Sequence, residues 1–174
     1  QRVNSKFGIN NKPILKVPKP LILKECAKVM SLTDGTKKMS KSDPNENSRI
    51  SLLDNPDVIS KKIKRAKTDS EIGLEFGNVL RPEADNLLSI YSIISGLGKE
   101  KAALDCREMG WGTFKPKFTE AMIDILIPIQ KQYNELMNDK GELNRILEKG
   151  KTTAKEVSEV TLKRVKEALG FYTS

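Results

Sequence analysis

Apolar residues recur at helical spacing through most of this chain and at strand spacing only near its start. Gln1 to Gly8 is predicted to be the end of a helix, closed by Gly8 in the left-handed conformation glycine favours at a C-cap. Pro13, Pro18 and Pro20 exclude a helix over the next stretch. Leu21-Ile22-Leu23 and Val29-Met30 are apolar runs of strand length, and Ile50 and Leu52 alternate as in a half-buried strand. From Asn55 onward the period changes. Asn55-Pro56 predicts a cap and a first helical residue, after which Ile59, Ile63 and Ala66 form an apolar face opposite Lys61, Lys64 and Arg65. Ala84, Leu87, Leu88, Tyr91 and Ile94 make a second stripe that stops at Gly96. A third and longer one runs through Phe118, Met122, Ile125, Leu126, Ile129, Tyr133, Leu136 and Met137, with a kink predicted at Pro128. Thr153 and Glu156 have capping-box spacing ahead of a last helix carrying Val157, Leu162, Val165 and Leu169 and closing at Gly170. The pattern predicts a mainly α chain, with an α/β remnant over residues 1–54 and a helical bundle over 55–174.

Composition narrows the class. The 174 residues suffice for one ordinary domain or two small ones, and aromatic content of 5% against 31% charged residues suits helices built on Leu, Ile and Val. The net charge of +8 fits either a lysine-rich solvated surface or a polyanionic partner, RNA above all. Cys26 and Cys106 have no metal-ligand spacing, and there is no histidine to assist them, so they read as reduced thiols. No apolar run approaches the length that spans a membrane. The start at Gln1-Arg2-Val3-Asn4 reads as the interior of a longer protein.

The candidate chemistry sits in Lys38-Met39-Ser40-Lys41-Ser42, which puts two ammonium groups and two hydroxyls on one short loop. Met30-Ser31-Leu32-Thr33-Asp34-Gly35-Thr36-Lys37 leads into it and Asp43-Pro44-Asn45 follows. With these flanks the passage resembles the signature loop of class I aminoacyl-tRNA synthetases in the form carried by tryptophanyl-tRNA synthetases. The resemblance continues through Ile50-Ser51-Leu52-Leu53-Asp54, the run Lys61 to Ser70, Asn86-Leu87-Leu88-Ser89-Ile90-Tyr91, Phe114-Lys115 and Pro128-Ile129-Gln130. It covers nearly the whole chain.

The resemblance implies a C-terminal remnant of a Rossmann-like α/β domain, bearing the lysine loop, followed by a helical anticodon-binding domain. It implies ATP with Mg2+ as substrate, no prosthetic group and no protein metal ligand, with tryptophan and tRNA(Trp) as further partners. Activation of an amino acid expels pyrophosphate, so cations on the leaving phosphates matter more than a nucleophile. By resemblance those cations are Lys38 and Lys41, each a compact charge on a long stem. Ser40 and Ser42 either donate to phosphate oxygens or cap the loop, while Val29 and Met39 lie near the adenine. Asp43 is expected to serve the turn before Pro44, and Gly35 to make the loop mobile, as a closing lid requires. The Lys61/Lys64/Arg65 face is either solvated or a contact for the tRNA backbone, and Trp111, between two glycines, either stacks on a base or, as is commoner for a lone Trp and expected here, anchors a loop to the helices.

In this family the lysine loop works with a histidine motif, which a chain without histidine cannot contain. The chain therefore corresponds to the C-terminal half of such an enzyme and is expected to be nearly inactive alone. A severed parallel sheet would also leave an exposed edge and drive self-association. The parent is expected to be a homodimer in the cytoplasm or an organelle, with no membrane partner. Two other readings remain open from sequence: a tyrosyl-tRNA synthetase-like fragment, and a non-catalytic module binding nucleotide or tRNA.

Overall fold

The computed structural model describes residues 1–8, 12–22 and 27–172, so Leu23 and Cys26 lie outside it. Its helices are α1 (Arg2–Phe7), α2 (Pro56–Arg65), α3 (Pro82–Ile94), α4 (Gly98–Cys106), α5 (Trp111–Asn138) and α6 (Lys140–Ala168), with a 3-10 turn at Glu46–Ser48. The chain divides into two compact units, residues 1–21 with 135–174 and residues 22–134.

The second unit holds the core. Asn55 accepts the Val58 N–H at 2.9 Å, Pro56 opens α2, and Ile59, Ile63 and Ala66 are buried, as their spacing predicts. Ala84, Leu87, Leu88 and Tyr91 of α3 join them, and Gly96 takes φ 68° just past its end. Helix α5 begins at Trp111, seven residues before its predicted stripe, and adds buried Phe114, Phe118, Met122 and Leu126. Phe114 stacks on Phe118 and meets the edges of Tyr91 and Trp111, with centroids 5.6–5.9 Å apart. Trp111 Nε1 donates to Asp69 at 3.1 Å, which is the anchoring role its sequence position predicts. Helix α4 had no predicted counterpart. Its two buried residues, Ala102 and Cys106, are too few to show a period in the sequence.

Several expectations change. Among the described residues there is no strand; Met30 and Lys38 form an antiparallel bridge, and Lys12 also stands in a bridge. Leu21 and Ile22 are 94% and 73% exposed, and residues 51–54 form a turn in which the Asp54 carboxylate takes the Ser51 N–H at 2.9 Å. A strand needs a run of ladder bonds with a neighbour, and around Met30 the pairing stops at the single bridge. No sheet edge is formed among these residues. Gly8 keeps φ −63° rather than the left-handed region; a Cβ there would lie 2.5 Å from the Asn4 carbonyl oxygen, so close approach requires the glycine.

In the first unit the predicted capping box is not a helix start. Helix α6 is continuous from Lys140, capped by Asp139, which accepts the Glu142 N–H at 2.9 Å. Thr153 sits inside it and donates its hydroxyl to the Lys149 carbonyl. Asp139 and Glu142 have the spacing that Thr153 and Glu156 also have, and only the first pair lies where the helix begins.

Candidate functional site

The lysine loop is the far arm of a short hairpin. Ser31 N–H donates to the Lys37 carbonyl at 2.8 Å and Met39 N–H to the Val29 carbonyl at 3.0 Å, on either side of the Met30–Lys38 bridge. The turn between the arms is set by Asp34, which accepts the N–H and hydroxyl of Thr36 and pairs with Lys37 at 3.1 Å. The bonds from Thr36 and the Lys37 ammonium hold the Asp34 carboxyl down at about 2. Leu32, buried in the core, passes its N–H to the Ser48 carbonyl and takes the Lys67 N–H on its own carbonyl.

Beyond the hairpin the chain turns back on itself. Asp43 N–H donates to the Ser40 carbonyl at 3.3 Å, and the Ser40 and Ser42 hydroxyls lie 3.2 Å apart. Asp43 accepts the Asn45 N–H at 2.8 Å, the local turn role expected of it. Lys38, Ser40, Lys41 and Ser42 are exposed, whereas Val29 and Met39 are half-buried.

A groove of about 720 Å3 opens beside the loop. Its lining brings together Val29, Met39 and Lys41 with Arg49, the segment Ile50–Leu53, and Ile129 and Tyr133 of α5. Lys38, Ser40 and Ser42 are not part of that lining. Gln130 of α5 fixes the wall, donating through Nε2 to the Leu52 and Asp54 carbonyls at 2.8 Å each. The groove thus has an apolar floor, a flexible cation at Lys41 and a second cation at Arg49, whose guanidinium donates to the Asp43 carbonyl at 2.7 Å. Such a lining suits a flat apolar ring that carries negative charge. The sequence reading missed Arg49, which falls in no motif and is eight residues from Lys41.

Gly35 has a different job from the one expected. It is buried, and a Cβ on it would lie 2.7 Å from the Glu83 nitrogen. It is a point of contact against the start of α3, and the hairpin is anchored there. Among the described residues no cluster of three or more His, Cys, Asp and Glu could hold a metal ion, and no helix is long and apolar enough to cross a membrane. The Lys61, Lys64 and Arg65 side chains are exposed on α2, while Lys62 turns inward to pair with Asp54 at 2.6 Å.

Known proteins share both the sequence and the fold. The tryptophan–tRNA ligase of Prochlorococcus marinus strain MIT 9313 is 61% identical over 171 residues, which cover 98% of this chain and 51% of that protein. The chloroplastic/mitochondrial tryptophan–tRNA ligase of Arabidopsis thaliana is 48% identical over 180 residues, 99% of this chain and 44% of its own. The crystal structure of tryptophanyl-tRNA synthetase from Mycoplasma pneumoniae superposes with a TM-score of 0.82 at 28% identity, over 99% of this chain and 52% of that one. The chain spans about half the length of the curated relatives it matches. Residues 1–127 match the family described as tRNA synthetases class I (W and Y), and with a hairpin-borne lysine loop beside an apolar groove, the chain belongs to that family.

Proposed function

We propose that this chain is the C-terminal half of a tryptophan–tRNA ligase, supplying the leaving-group side of the activation site and a surface for tRNA(Trp). The observation that carries this is the lysine loop, held on a hairpin so that Lys41, Val29 and Met39 face one groove. The relatives named tryptophan–tRNA ligase favour tryptophan over tyrosine.

In this reading the tryptophan carboxylate attacks the α-phosphorus of ATP, forming the mixed anhydride and releasing pyrophosphate. Negative charge grows on the bridging oxygen and spreads into the leaving phosphates. Lys38 and Lys41 neutralise it, and the Ser40 and Ser42 hydroxyls donate to phosphate oxygens or hold the loop's shape. Val29 and Met39 flank the adenine, and Mg2+ arrives with the nucleotide as part of the substrate. Histidine contacts to the phosphates, which this chain cannot provide, come from residues outside it. Residues 1–54 then form the end of the nucleotide-binding domain and 55–174 the anticodon-binding domain, with Lys61, Lys64 and Arg65 against the tRNA backbone. The parent is a homodimer of the cytoplasm or an organelle.

The test is tryptophan-dependent ATP–pyrophosphate exchange, with the remaining half of the enzyme supplied as a separate chain. Exchange should appear on mixing and fall about a hundredfold with Lys41→Ala, the size seen when one comparable electrostatic donor is lost. Exchange that depends on tyrosine would change the substrate. A folded, associated pair with no exchange would overturn the reading.

A further inference from the structure

Helix α3 holds the hairpin that carries the lysines at two points, beside the backbone bonds of Leu32 to Ser48 and Lys67. Asn86 of α3 is 4% exposed, and its amide takes both backbone polar groups of Met30. Met30 N–H donates to Oδ1 at 2.8 Å, and Nδ2 donates to the Met30 carbonyl at 2.9 Å. A neighbouring antiparallel strand would give Met30 this same pair of bonds from one residue. Three positions earlier on the same face of α3, Glu83 accepts the Gly35 N–H at 3.3 Å and pairs with Lys67 at 2.8 Å. The hairpin is therefore pinned at Met30, which bridges Lys38, and at Gly35 in its turn.

We propose that Asn86 is a positioning residue for the lysine loop. It fixes Met30, and through the Met30–Lys38 bridge and the Met39–Val29 bond it sets where Lys38 and Lys41 stand; Glu83 holds the turn. Asn86 is no part of the groove lining and acts through the backbone alone. Its side chain is specific to the task. Leucine would leave two part-buried backbone groups unpaired, and aspartate would keep the acceptor and lose the donor. With the pin removed, the lysines sample many positions and the phosphates lose their fixed charges.

The inference rests on the phosphate-binding reading of the loop, and the experiment separates the two. It measures kcat/KM for ATP in tryptophan-dependent pyrophosphate exchange with the assembled halves, for Asn86→Ala with and without Lys41→Ala. If Asn86 acts through the lysines, the substitution costs about tenfold alone but only about threefold in the Lys41→Ala background, where it still acts through Lys38, because residues sharing one function are not additive. Leu88→Ala is the control: it removes a buried side chain of the same helix and should lower activity equally in both backgrounds. An Asn86→Ala effect as additive as that of Leu88→Ala would overturn the proposal and leave the phosphate reading intact. Full activity of Lys41→Ala would overturn the phosphate reading and this inference together. Should Asn86→Ala fail to fold, Asn86→Asp takes its place in the cycle. Failure of both to fold would make Asn86 a folding residue and overturn its positioning role.

Discussion

Asp69→Asn tests the polar junction that ties the segment before α3 to α3 and α5. The Asp69 carboxylate accepts two bonds from Arg81, Nε at 2.8 Å and an Nη at 2.9 Å, one from Trp111 Nε1 at 3.1 Å and one from the Glu71 N–H at 2.9 Å. Arg81 is only 6% exposed and keeps the Gly73 carbonyl at 2.8 Å as its other close partner. The Arg81 guanidinium first, then the Trp111 and Glu71 donors, hold the Asp69 carboxyl at about 2, against the ordinary 3.8. That difference corresponds to about 2 kcal/mol at neutral pH, at 1.36 kcal/mol per pH unit. Leaving Arg81 with only the Glu71 carboxylate, 3.8 Å away, carries a further penalty, up to about 3–5 kcal/mol in total for a fully buried pair. Asp69 keeps 29% of its side chain in water, so the lower end applies and we expect about 2–3 kcal/mol. For a chain of this size that is a fall in Tm of roughly 8 °C.

Thermal unfolding followed by circular dichroism at pH 7 gives the first reading, and repeating it down to pH 2 gives the second. The folded-state pKa is depressed, so the unfolded chain binds the proton first and stability is lost as pH falls from about 5 to about 2. The Asp69→Asn variant has no carboxyl to protonate there, and the gap in Tm between it and the wild type should close over the same window. Asp34, also held at about 2, titrates in both proteins and cancels in the comparison. A gap below 2 °C at pH 7, or one that stays constant down to pH 2, would refute the reasoning.

Gly35→Ala would place a Cβ 2.7–2.8 Å from backbone atoms of Pro82 and Glu83, which cannot swing aside; a loss of about 1–3 kcal/mol follows, and an unchanged Tm would count against it. Cys106 is fully buried and its thiol is pushed up to about 11 by that burial. In a Cys26→Ser background the native chain at pH 8 should react with a thiol reagent only as it unfolds, and rapid stoichiometric labelling would contradict this. Asn55→Ala removes the α2 cap and should cost about 1 kcal/mol in denaturant unfolding, with Asn55→Gly costing only a few tenths; equal costs would deny the cap its role.

What could be read from the sequence was local. The start of α2 is legible because Asn55, Pro56 and the Ile59–Ile63 pair lie within nine residues, and the α3 stripe because four of its apolar positions are buried on one face. The lysine loop is legible as a string of residues, and three of the six expected site residues share the groove. Long-range partners are not legible. Val29-Met30 and the alternation around Ile50 look like strands because the period is there, yet a ladder needs a neighbour that no period reveals. Arg49 enters the groove through a bond to the Asp43 carbonyl, and Gly35 is fixed by a helix nearly fifty residues downstream; neither leaves a mark in its own neighbourhood.

The missing neighbour is replaced the same way in both units. In the first, Asn4 of α1 donates to the Leu15 carbonyl at 2.7 Å and accepts the Leu15 N–H at 2.8 Å. In the second, Asn86 of α3 does this for Met30, across 56 residues. An extended backbone without a sheet has one donor and one acceptor per residue to satisfy, and a carboxamide carries one of each on a single plane. Asparagine is a mediocre helix former, so its place inside α3 costs a few tenths of a kcal/mol unless its side chain is used. Here it is used twice on one residue, the residue bridged to Lys38. That is why helix α3, which contributes nothing to the groove lining, governs the geometry of the loop beside it.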